Sequence, residues 1–401
     1  MKLADYVDLN PRTTLPRGRK VPYVGMEAVT PGRRAVVARE SRDAVGSGSK
    51  FQPGDTLFAR ITPCLENGKI GQYMGPEAGI GSTEFFVLRA KPQRADPDYV
   101  FYFVCQPHIR AVAEKSMSGA SGRQRAQLSA LADLSCQFPA LAVQRKVAET
   151  LVTFDDLIEN HLRRAKLLEK AAQALFRGLF LDFTVAVNPD FELIQSRRGR
   201  VPRGWQVKRA SECMIVNPSV PVPRGGEKPF VPMSSISEDS MLIDDFEMRS
   251  GNSGAKFQNG DTLFARITPC LENGKTGFVQ FLAEPESVAF GSTEFIVLRS
   301  RCLTPEFVYL LARSQPFREH AIKSMSGASG RQRVRDACFD DFMVACPPVE
   351  VLRRFSEQVQ PMFALIQRLH RAAGNLQKTR NLLVPELLSG KGPRLAREVL
   401  A

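Results

Sequence analysis

The chain has 401 residues, of which 43% are hydrophobic, and it carries a formal net charge of +13. This composition excludes disordered and fibrous proteins, and the length allows two ordinary folded domains. No apolar run approaches the roughly 18 residues of a membrane span, and charged residues follow the first Met too closely for a secretory leader. We therefore expect a cytoplasmic protein without a membrane partner, and the basic balance favours a polyanionic partner.

Residues 1–140 predict a β-rich globular domain, which we call the first head. Gly54-Asp55 opens an apolar run, Asn67-Gly68 is typical of a hairpin turn, and residues 83–89 alternate like a strand. A buried strand and a tight hairpin are the expected structure of this region.

A long helix is predicted after Pro139, because the chain then lacks Pro and is nearly free of Gly until Gly178. We assign this helix to residues 141–184. Apolar residues recur along it every seven residues, which indicates a helix that pairs with another helix. The residues of this seam are Val147, Leu151, Phe154, Ile158, Leu168 and Leu175. His161 interrupts the seam, and packing at its edge is favoured over a pH switch.

Residues 185–348, the second head, repeat the first. Phe51–Lys69 recurs at Phe257–Lys275 with one change, from Pro53 to Asn259. Two further segments return, Gly81–Phe85 at Gly291–Phe295 and, without change, Lys115–Arg125 at Lys323–Arg333. A repeat of this length is too long for a solenoid, so one domain-sized unit is used twice.

A second long helix follows, in the segment 349–401. Its seam residues are Phe355, Val359, Met362, Ile366, Leu369, Leu376 and Leu383, and Arg380 interrupts the pattern. The sequence therefore predicts an α+β fold with two homologous globular domains, separated by two long helices that pack as a coiled coil about a pseudo-twofold axis. Helices of about 35 residues would each extend about 50 Å. We expect antiparallel packing, although a parallel pair is sterically possible.

These segments resemble a known family, the DNA-specificity subunits of type I restriction–modification systems. The end of the first helix, residues 174–183, resembles the close of that family's central spacer, and residues 381–391 resemble its C-terminal spacer. Residues 54–69 and 81–89 resemble one subtype of its target-recognition domain. The resemblance implies a subunit that reads a split double-stranded DNA site with one head on each half. It also implies two methyltransferase subunits and ATP-driven restriction subunits as partners.

Motifs for catalysis are absent from the sequence. There is no phosphate-binding loop and no dinucleotide-binding turn, and the four histidines are dispersed. The eight cysteines form no Cys-x-x-Cys pair, so we expect reduced thiols. Residues 188–191 only faintly resemble an amino-methyltransferase motif. We expect a non-catalytic chain that binds no cofactor, with S-adenosylmethionine, ATP and Mg²⁺ on the partner subunits. A duplicated enzyme and a protein-interaction scaffold remain the alternatives.

Residues that are identical in both heads cannot distinguish two different half-sites. They serve the fold, or they make a contact that both heads need, such as a contact to phosphate. The shared DNA-binding candidates are Arg60, Lys69, Arg123, Gln124 and Arg125 in the first head, and Arg266, Lys275, Arg331, Gln332 and Arg333 in the second. Solvated charge flanking a strand is the alternative for Arg60, Lys69, Arg266 and Lys275. An ordinary flexible loop before a short helix is the alternative for residues 116–125 and 324–333. Base reading is expected in segments that differ between the heads, such as residues 33–42 and 224–228.

Overall fold

The computed structural model describes residues 1–16, 18–44, 47–120, 122–185, 192–223, 225–243, 245–284, 287–328 and 330–389. The chain divides into two compact units. Unit 1 contains residues 1–160 and the residues from 373 onward, and unit 2 contains residues 161–372. The methyltransferase-like segment up to Phe191, the residue Arg224 and the tail from Gly390 lie outside the described residues.

The first head, in unit 1, contains nine strands and three short helices. The strands are β1 (Val7–Leu9), β2 (Lys20–Val24), β3 (Ala35–Val36), β4 (Glu40–Asp43), β5 (Ser49–Phe51), β6 (Thr56–Ala59), β7 (Ile70–Tyr73), β8 (Gly79–Gly81) and β9 (Phe85–Ala90). The short helices are α1 (Pro97–Val104), α2 (Pro107–Lys115) and α3 (Leu128–Ala132), and the long helix α4 (Leu141–Phe176) follows them and continues as a π-helical turn over Arg177–Leu181.

The strands of the first head form two sheets. One has five strands in the order β1-β9-β6-β7-β3, and the other has four in the order β4-β2-β8-β5. Most neighbours are antiparallel, as the hairpin signals predict, but β2 pairs with β8 and β3 pairs with β7 in parallel. Strand β6 is completely buried at the centre of the larger sheet, which explains its three consecutive apolar residues, Leu57, Phe58 and Ala59.

The second head, in unit 2, is built in the same way. Its strands are β10 (Leu193–Ser196), β11 (Gly199–Pro202), β12 (Gln206–Arg209), β13 (Met214–Val216), β14 (Glu227–Val231), β15 (Glu247–Ser250), β16 (Ala255–Phe257), β17 (Thr262–Ala265), β18 (Thr276–Phe278), β19 (Ala289–Gly291), β20 (Phe295–Ser300) and β21 (Met343–Cys346). Its helices are α5 (Ala210–Cys213), α6 (Pro305–Arg313) and α7 (Gln315–Lys323), and the long helix α8 (Val349–Ser389) follows. The strand orders β13-β20-β17-β18 and β15-β14-β19-β16 match those of the first head, except that the first of them has no counterpart of β3 among the described residues. Two further sheets have two strands each.

Buried ion pairs explain part of the sequence repeat. Asp55 is 1% exposed, and both its carboxylate oxygens accept hydrogen bonds from Arg89, at 2.7 and 2.8 Å. Asp261 and Arg299 form the same pair in the second head, at 2.6 and 2.7 Å. A buried carboxylate needs such a partner. The repeated Gly-Asp and Val-Leu-Arg motifs therefore join β6 to β9 in the first head and β17 to β20 in the second.

The helices α1 and α6 were not predicted from the sequence. Their signals are nevertheless present, because Asp96 accepts hydrogen bonds from the backbone N–H groups of Asp98 and Tyr99 at the start of α1, and Pro97 occupies the first turn. Thr304 caps α6 in the same way. Helix α1 is buried on most of its surface, so it lacks the amphipathic pattern that identifies a surface helix.

The two long helices run antiparallel within each unit. In unit 1 the start of α4 shares a core with the end of α8, through Leu151 and Leu387. In unit 2 the end of α4 shares a core with the start of α8, and the rings of Phe180 and Phe355 lie 4.8 Å apart. Within unit 1, Asp155 follows Leu151 on α4 whereas its partner Arg380 precedes Leu387 on α8, so these two segments run in opposite directions.

The predicted seam residues lie on the packed side of each helix, but the buried face is broader than the prediction. Those that are fully buried are Val147, Leu151, Ile158, Phe355, Val359, Ile366 and Leu369, and those that are half-buried are Phe154, Leu168, Leu175, Met362, Leu376 and Leu383. A further row of buried residues includes Asp155, Glu169 and Phe176. Each helix contacts a head as well as the other helix, so two faces are covered.

The two heads pack on the helices through equivalent positions, which hold charged side chains in unit 1 and apolar side chains in unit 2. In unit 1, Asp155 of α4 and Arg380 of α8 form a buried ion pair, and each side chain is 8% exposed. The Tyr102 hydroxyl donates to Asp155 at 2.5 Å, and burial raises the pKa of this phenol, which therefore remains the donor. Arg34 is also buried and donates to Gln72 at 3.0 Å.

Unit 2 places apolar residues at these same positions. The repeat aligns Asp155 with Phe363 and Arg380 with Ala172, both of which are buried. It aligns Arg34 with Met241 and Gln72 with Phe278, as the matching backbone bonds between these pairs show. The Phe278 and Phe363 rings lie 5.1 Å apart. Similar backbones therefore hold a charged interface in one unit and an aromatic interface in the other.

Candidate nucleic-acid interface

The Ser- and Gly-rich loop before α3, residues 116–125, is fixed to the turn that follows β6. The backbone N–H of Thr62 donates to the carbonyl of Gln124 at 3.0 Å, and the N–H of Ala126 donates to the carbonyl of Arg60 at 2.8 Å. The second head has the same bonds, from Thr268 to Gln332 and from Val334 to Arg266. Two segments that the sequence repeats independently therefore form one surface feature in each head.

Glycines are required at two positions of this loop. Gly119 has a φ angle of 123° and Gly122 has a φ angle of 78°, and the corresponding angles in the second head are 126° and 78°. These left-handed conformations strain other residues. A side chain on Gly119 would also approach the carbonyl oxygen of Arg123 to 3.3 Å. The loop thus keeps the same tight course in both heads.

A glutamate in the repeated Gly-Ser-Thr-Glu-Phe segment anchors the loop. Arg125 donates to both carboxylate oxygens of Glu84, at 2.7 and 2.9 Å, and Arg60 adds a bond of 3.2 Å. Arg333 holds Glu294 in the same bidentate manner, at 2.6 and 2.9 Å. These hydrogen bonds keep the pKa values of both glutamates below the ordinary value, so the carboxylates stay ionised.

The two bidentate pairs make Arg125 and Arg333 weaker candidates for direct contact with DNA. The guanidinium groups of Arg125 and Arg333 are engaged by a carboxylate of their own head, which suits a positioning role better than direct phosphate contact. Sequence reasoning did not select Glu84 or Glu294. Their exact recurrence beside recurring arginines was the available signal.

The two lysine candidates are also engaged within their heads. The Lys69 ammonium donates to the backbone carbonyl of Met26 at 2.8 Å, and Lys275 donates to that of Met233 at 3.1 Å. Arg266 donates to the carbonyl of Val334 at 3.0 Å. The expected alternative for these cations was solvated charge, whereas the structure shows half-buried groups that cross-link loops.

Arg123 and Arg331 are the candidates that remain available. Both are exposed, and neither side chain has a hydrogen-bond or ion-pair partner among the residues that the structure describes. Each lies next to Gln124 or Gln332, whose backbone carbonyl fixes the loop and whose side chain is half-buried. An exposed arginine on a rigid Gly-rich loop is suited to contact an anion.

The expectation that Arg33 and Arg34 read bases is wrong for Arg34. This residue is 7% exposed, and its guanidinium donates to Asp98 at 3.1 Å and to Asp156 at 3.4 Å. Arg33 donates to Glu159 of α4 at 2.9 Å. The pair attaches the first head to its helix. The sequence around these two adjacent arginines did not show that their acidic partners lie elsewhere in the chain.

Metal-binding and membrane features are not found in the described ranges. No group of three or more His, Cys, Asp or Glu residues there could hold a metal ion. All eight cysteines are free thiols, three of them buried and Cys302 exposed. Among the described helices, none is long and apolar enough to cross a membrane.

Comparison with known proteins finds similar proteins of one family. Residues 12–170 match the type I restriction modification DNA specificity domain. The chain is 24% identical over 309 residues to the type I restriction enzyme MjaIX specificity subunit of Methanocaldococcus jannaschii, a match that covers 72% of this chain and 68% of that protein. It is 26% identical over 195 residues to the EcoAI specificity subunit of Escherichia coli, covering 47% of this chain but only 33% of that longer protein.

A solved structure shows the same fold. The crystal structure of the type I restriction–modification S subunit from M. genitalium aligns with a TM-score of 0.54 and 14% identity, over 97% of this chain and 95% of that one. The specificity-domain match over residues 12–170 and these relatives show that the chain is similar to type I restriction–modification specificity subunits, and the M. genitalium structure shows that it shares their fold.

Proposed function

We propose that this chain reads a split DNA target, with one half-site for each head, and positions methyltransferase and restriction subunits there. The observation that carries the proposal is the identical anchored loop in both heads, with Glu84 holding Arg125 and Glu294 holding Arg333. A contact that is built twice in the same way suits a polymer with a repeating backbone. Double-stranded DNA offers equivalent phosphates at both half-sites.

We propose further that α4 and α8 form an antiparallel coiled coil with pseudo-twofold symmetry, which spaces the two half-sites. The antiparallel contacts within each unit support this role, as does the regular recurrence of seam residues along 36 and 41 residues of helix. S-adenosylmethionine, ATP and Mg²⁺ would belong to the partner subunits, as the family resemblance implies.

The function is tested by reconstitution. The purified chain alone is expected to transfer no methyl group from S-adenosylmethionine to DNA. Addition of two methyltransferase subunits should give methylation of adenines in one two-part sequence, identified by sequencing of the modified DNA. Methylation by the isolated chain, or methylation with the partner that lacks any two-part sequence, would contradict the proposal.

The phosphate contact is tested by replacing Arg123 and Arg331 with Ala. We expect weaker DNA binding and a decrease of about one in the slope of log K against log salt for each lost contact. Binding is measured by gel shift at several salt concentrations. The control is Arg353→Ala, because Arg353 is also exposed but lies on α8 with Glu350 and Glu357. If the replacement of Arg123 and Arg331 leaves the salt dependence of DNA binding unchanged, as the control does, these arginines do not contact phosphate.

A further inference from the structure

Each head carries an antiparallel strand pair at a sheet edge, β2 with β4 in the first head and β14 with β15 in the second, and the two pairs correspond residue by residue. In the first head Val21 pairs with Arg42 and Tyr23 pairs with Glu40. In the second head Lys228 pairs with Arg249 and Phe230 pairs with Glu247. All four residues of β4 and of β15 are exposed. Both outer strands therefore present their side chains to solvent.

An arginine lies over an aromatic ring on both strand pairs. The Arg42 guanidinium lies 3.4 Å from the centre of the Tyr23 ring and donates to Glu40 at 2.7 Å. Arg249 lies 3.9 Å from the centre of the Phe230 ring and donates to Glu247 at 2.7 Å. Stacking and the carboxylate fix the plane of each guanidinium. Its remaining N–H groups have no other partner among the residues that the structure describes.

The stacked arginine forms one wall of a recess in each head. The recess of the first head has a volume of about 600 Å³ and that of the second about 760 Å³. The opposite wall is the repeated Gly-Ser-Thr turn, residues 81–83 in the first head and 291–293 in the second. Such volumes hold a group of the size of a base.

The recess adjoins the anchored loop described above. Thr83 lines the recess, and the next residue is Glu84, which holds Arg125. Thr293 and Glu294 repeat this connection with Arg333. In the first head a neighbouring recess that also includes Thr83 is lined by Arg12 and Lys50. An exposed loop that can contact phosphate therefore lies beside a recess in both heads.

Seven lining positions are common to both recesses, and three of these seven differ between the heads. The differing pairs, with the residue of the first head given first, are Tyr23 and Phe230, Asp43 and Ser250, and Ile80 and Phe290. Asp43 is acceptor-only when ionised, whereas the Ser250 hydroxyl can donate or accept. A carboxylate accepts from the amino group of cytosine, and a hydroxyl accommodates several bases.

We infer that this recess is the base-contacting site of each head. The shared arginine and Gly-Ser-Thr turn hold the DNA, and the residue pairs Tyr23/Phe230 and Asp43/Ser250 select the bases of the two half-sites. The inference rests on the proposed function and deepens it. It assigns the discrimination between bases to the side chains that differ between the heads, because a contact common to both heads cannot distinguish two half-sites.

The test is an exchange between heads. The variant Tyr23→Phe with Asp43→Ser gives the first head the side chains that the second has at Phe230 and Ser250. Asp43 and Ser250 are exposed, Tyr23 and Phe230 are half-buried, and both changes remove few atoms, so the fold should be kept. The full chain, assembled with its methyltransferase subunits, is used to select from a random-sequence duplex pool. We expect the preference at one or more base pairs of one half-site to change by about 5- to 100-fold, while the other half-site stays the same.

The reciprocal variant, Phe230→Tyr with Ser250→Asp, should change the other half-site only. Asp133→Ser is the matched control, because it makes the same acid-to-serine change at an exposed residue whose partner is Lys2. If both exchanges leave both half-sites unchanged, the inference is overturned although the proposed function stands. If the wild-type assembly selects no two-part sequence, the proposed function itself fails.

Discussion

Replacement of Arg380 by Ala is expected to lower the free energy of unfolding by about 3–5 kcal/mol. Arg380 forms a buried ion pair with Asp155 and also donates to the carbonyl of Gly32 at 3.1 Å. Without the guanidinium, the Asp155 carboxylate keeps the Tyr102 hydroxyl but loses the charge that compensates it. The removal of one partner leaves a buried charge, and this cost exceeds the value of the intact pair.

The residues of unit 2 indicate which substitutions should restore the stability that Arg380→Ala loses. Its equivalent residues are Phe363 and Ala172, so Asp155→Phe with Arg380→Ala copies an arrangement that the same fold already uses. The exchange roughly conserves side-chain volume. Tyr102→Phe is added, because the phenol would otherwise lose its acceptor. We expect the triple variant to recover most of the stability that the single variant loses.

Urea unfolding of the full chain measures both effects. Arg353→Ala is the control on the same helix, and little change is expected because Arg353 is exposed. Wild-type stability of Arg380→Ala, or a triple variant no more stable than the single one, would show that the ion pair does not stabilise unit 1.

Lengthening both long helices by one heptad is expected to widen the gap of the DNA target and to leave both half-sites unchanged. Seven residues add about 10 Å of helix, which corresponds to about three base pairs at about 3.4 Å each. The expectation follows from the proposed spacer role. A heptad keeps the period of the seam, so the inserted segments can pair with each other.

The division of the chain determines where the insertions belong. One is placed after Asn160 and the other after Ala372, so that the contacts within each unit are preserved. An insertion after Leu168 alone would shift Ala172 and Phe176 relative to their partners on α8. The single insertion is therefore the control for damage to packing. Sequencing of methylated DNA gives the gap, and an unchanged gap with altered half-sites would exclude the helices as the spacer.

The two heads and the two long helices could be predicted from the sequence, because their signals are repeated and periodic. The seam gave the packed side of α4, but it did not predict that Asp155 and Glu169 would be buried. A charged residue in a helix usually indicates solvent. Its partners, Arg380 for Asp155 and Tyr309 for Glu169, lie more than 100 residues away in the chain.

The candidate interface was predicted less completely, because its ion-pair partners also lie far apart in the chain. Recurrence identified Arg123 and Arg125 together, but it could not show that Glu84 engages one and leaves the other exposed. The adjacent pair Arg33 and Arg34 looked like a basic patch. Its acidic partners Asp156 and Glu159 belong to a helix that the sequence assigns to a separate element.

The buried pair between Asp155 and Arg380 also governs how fragments of this protein would recombine. A cut between α4 and the second head leaves one charge on each fragment. Two N-terminal fragments paired through α4 would place Asp155 opposite Ala172, and two C-terminal fragments would place Arg380 opposite Phe363. Either self-association leaves a buried charge without a counterion. The fragments are thus complementary to each other, and fragment complementation should restore heterodimers in preference to homodimers.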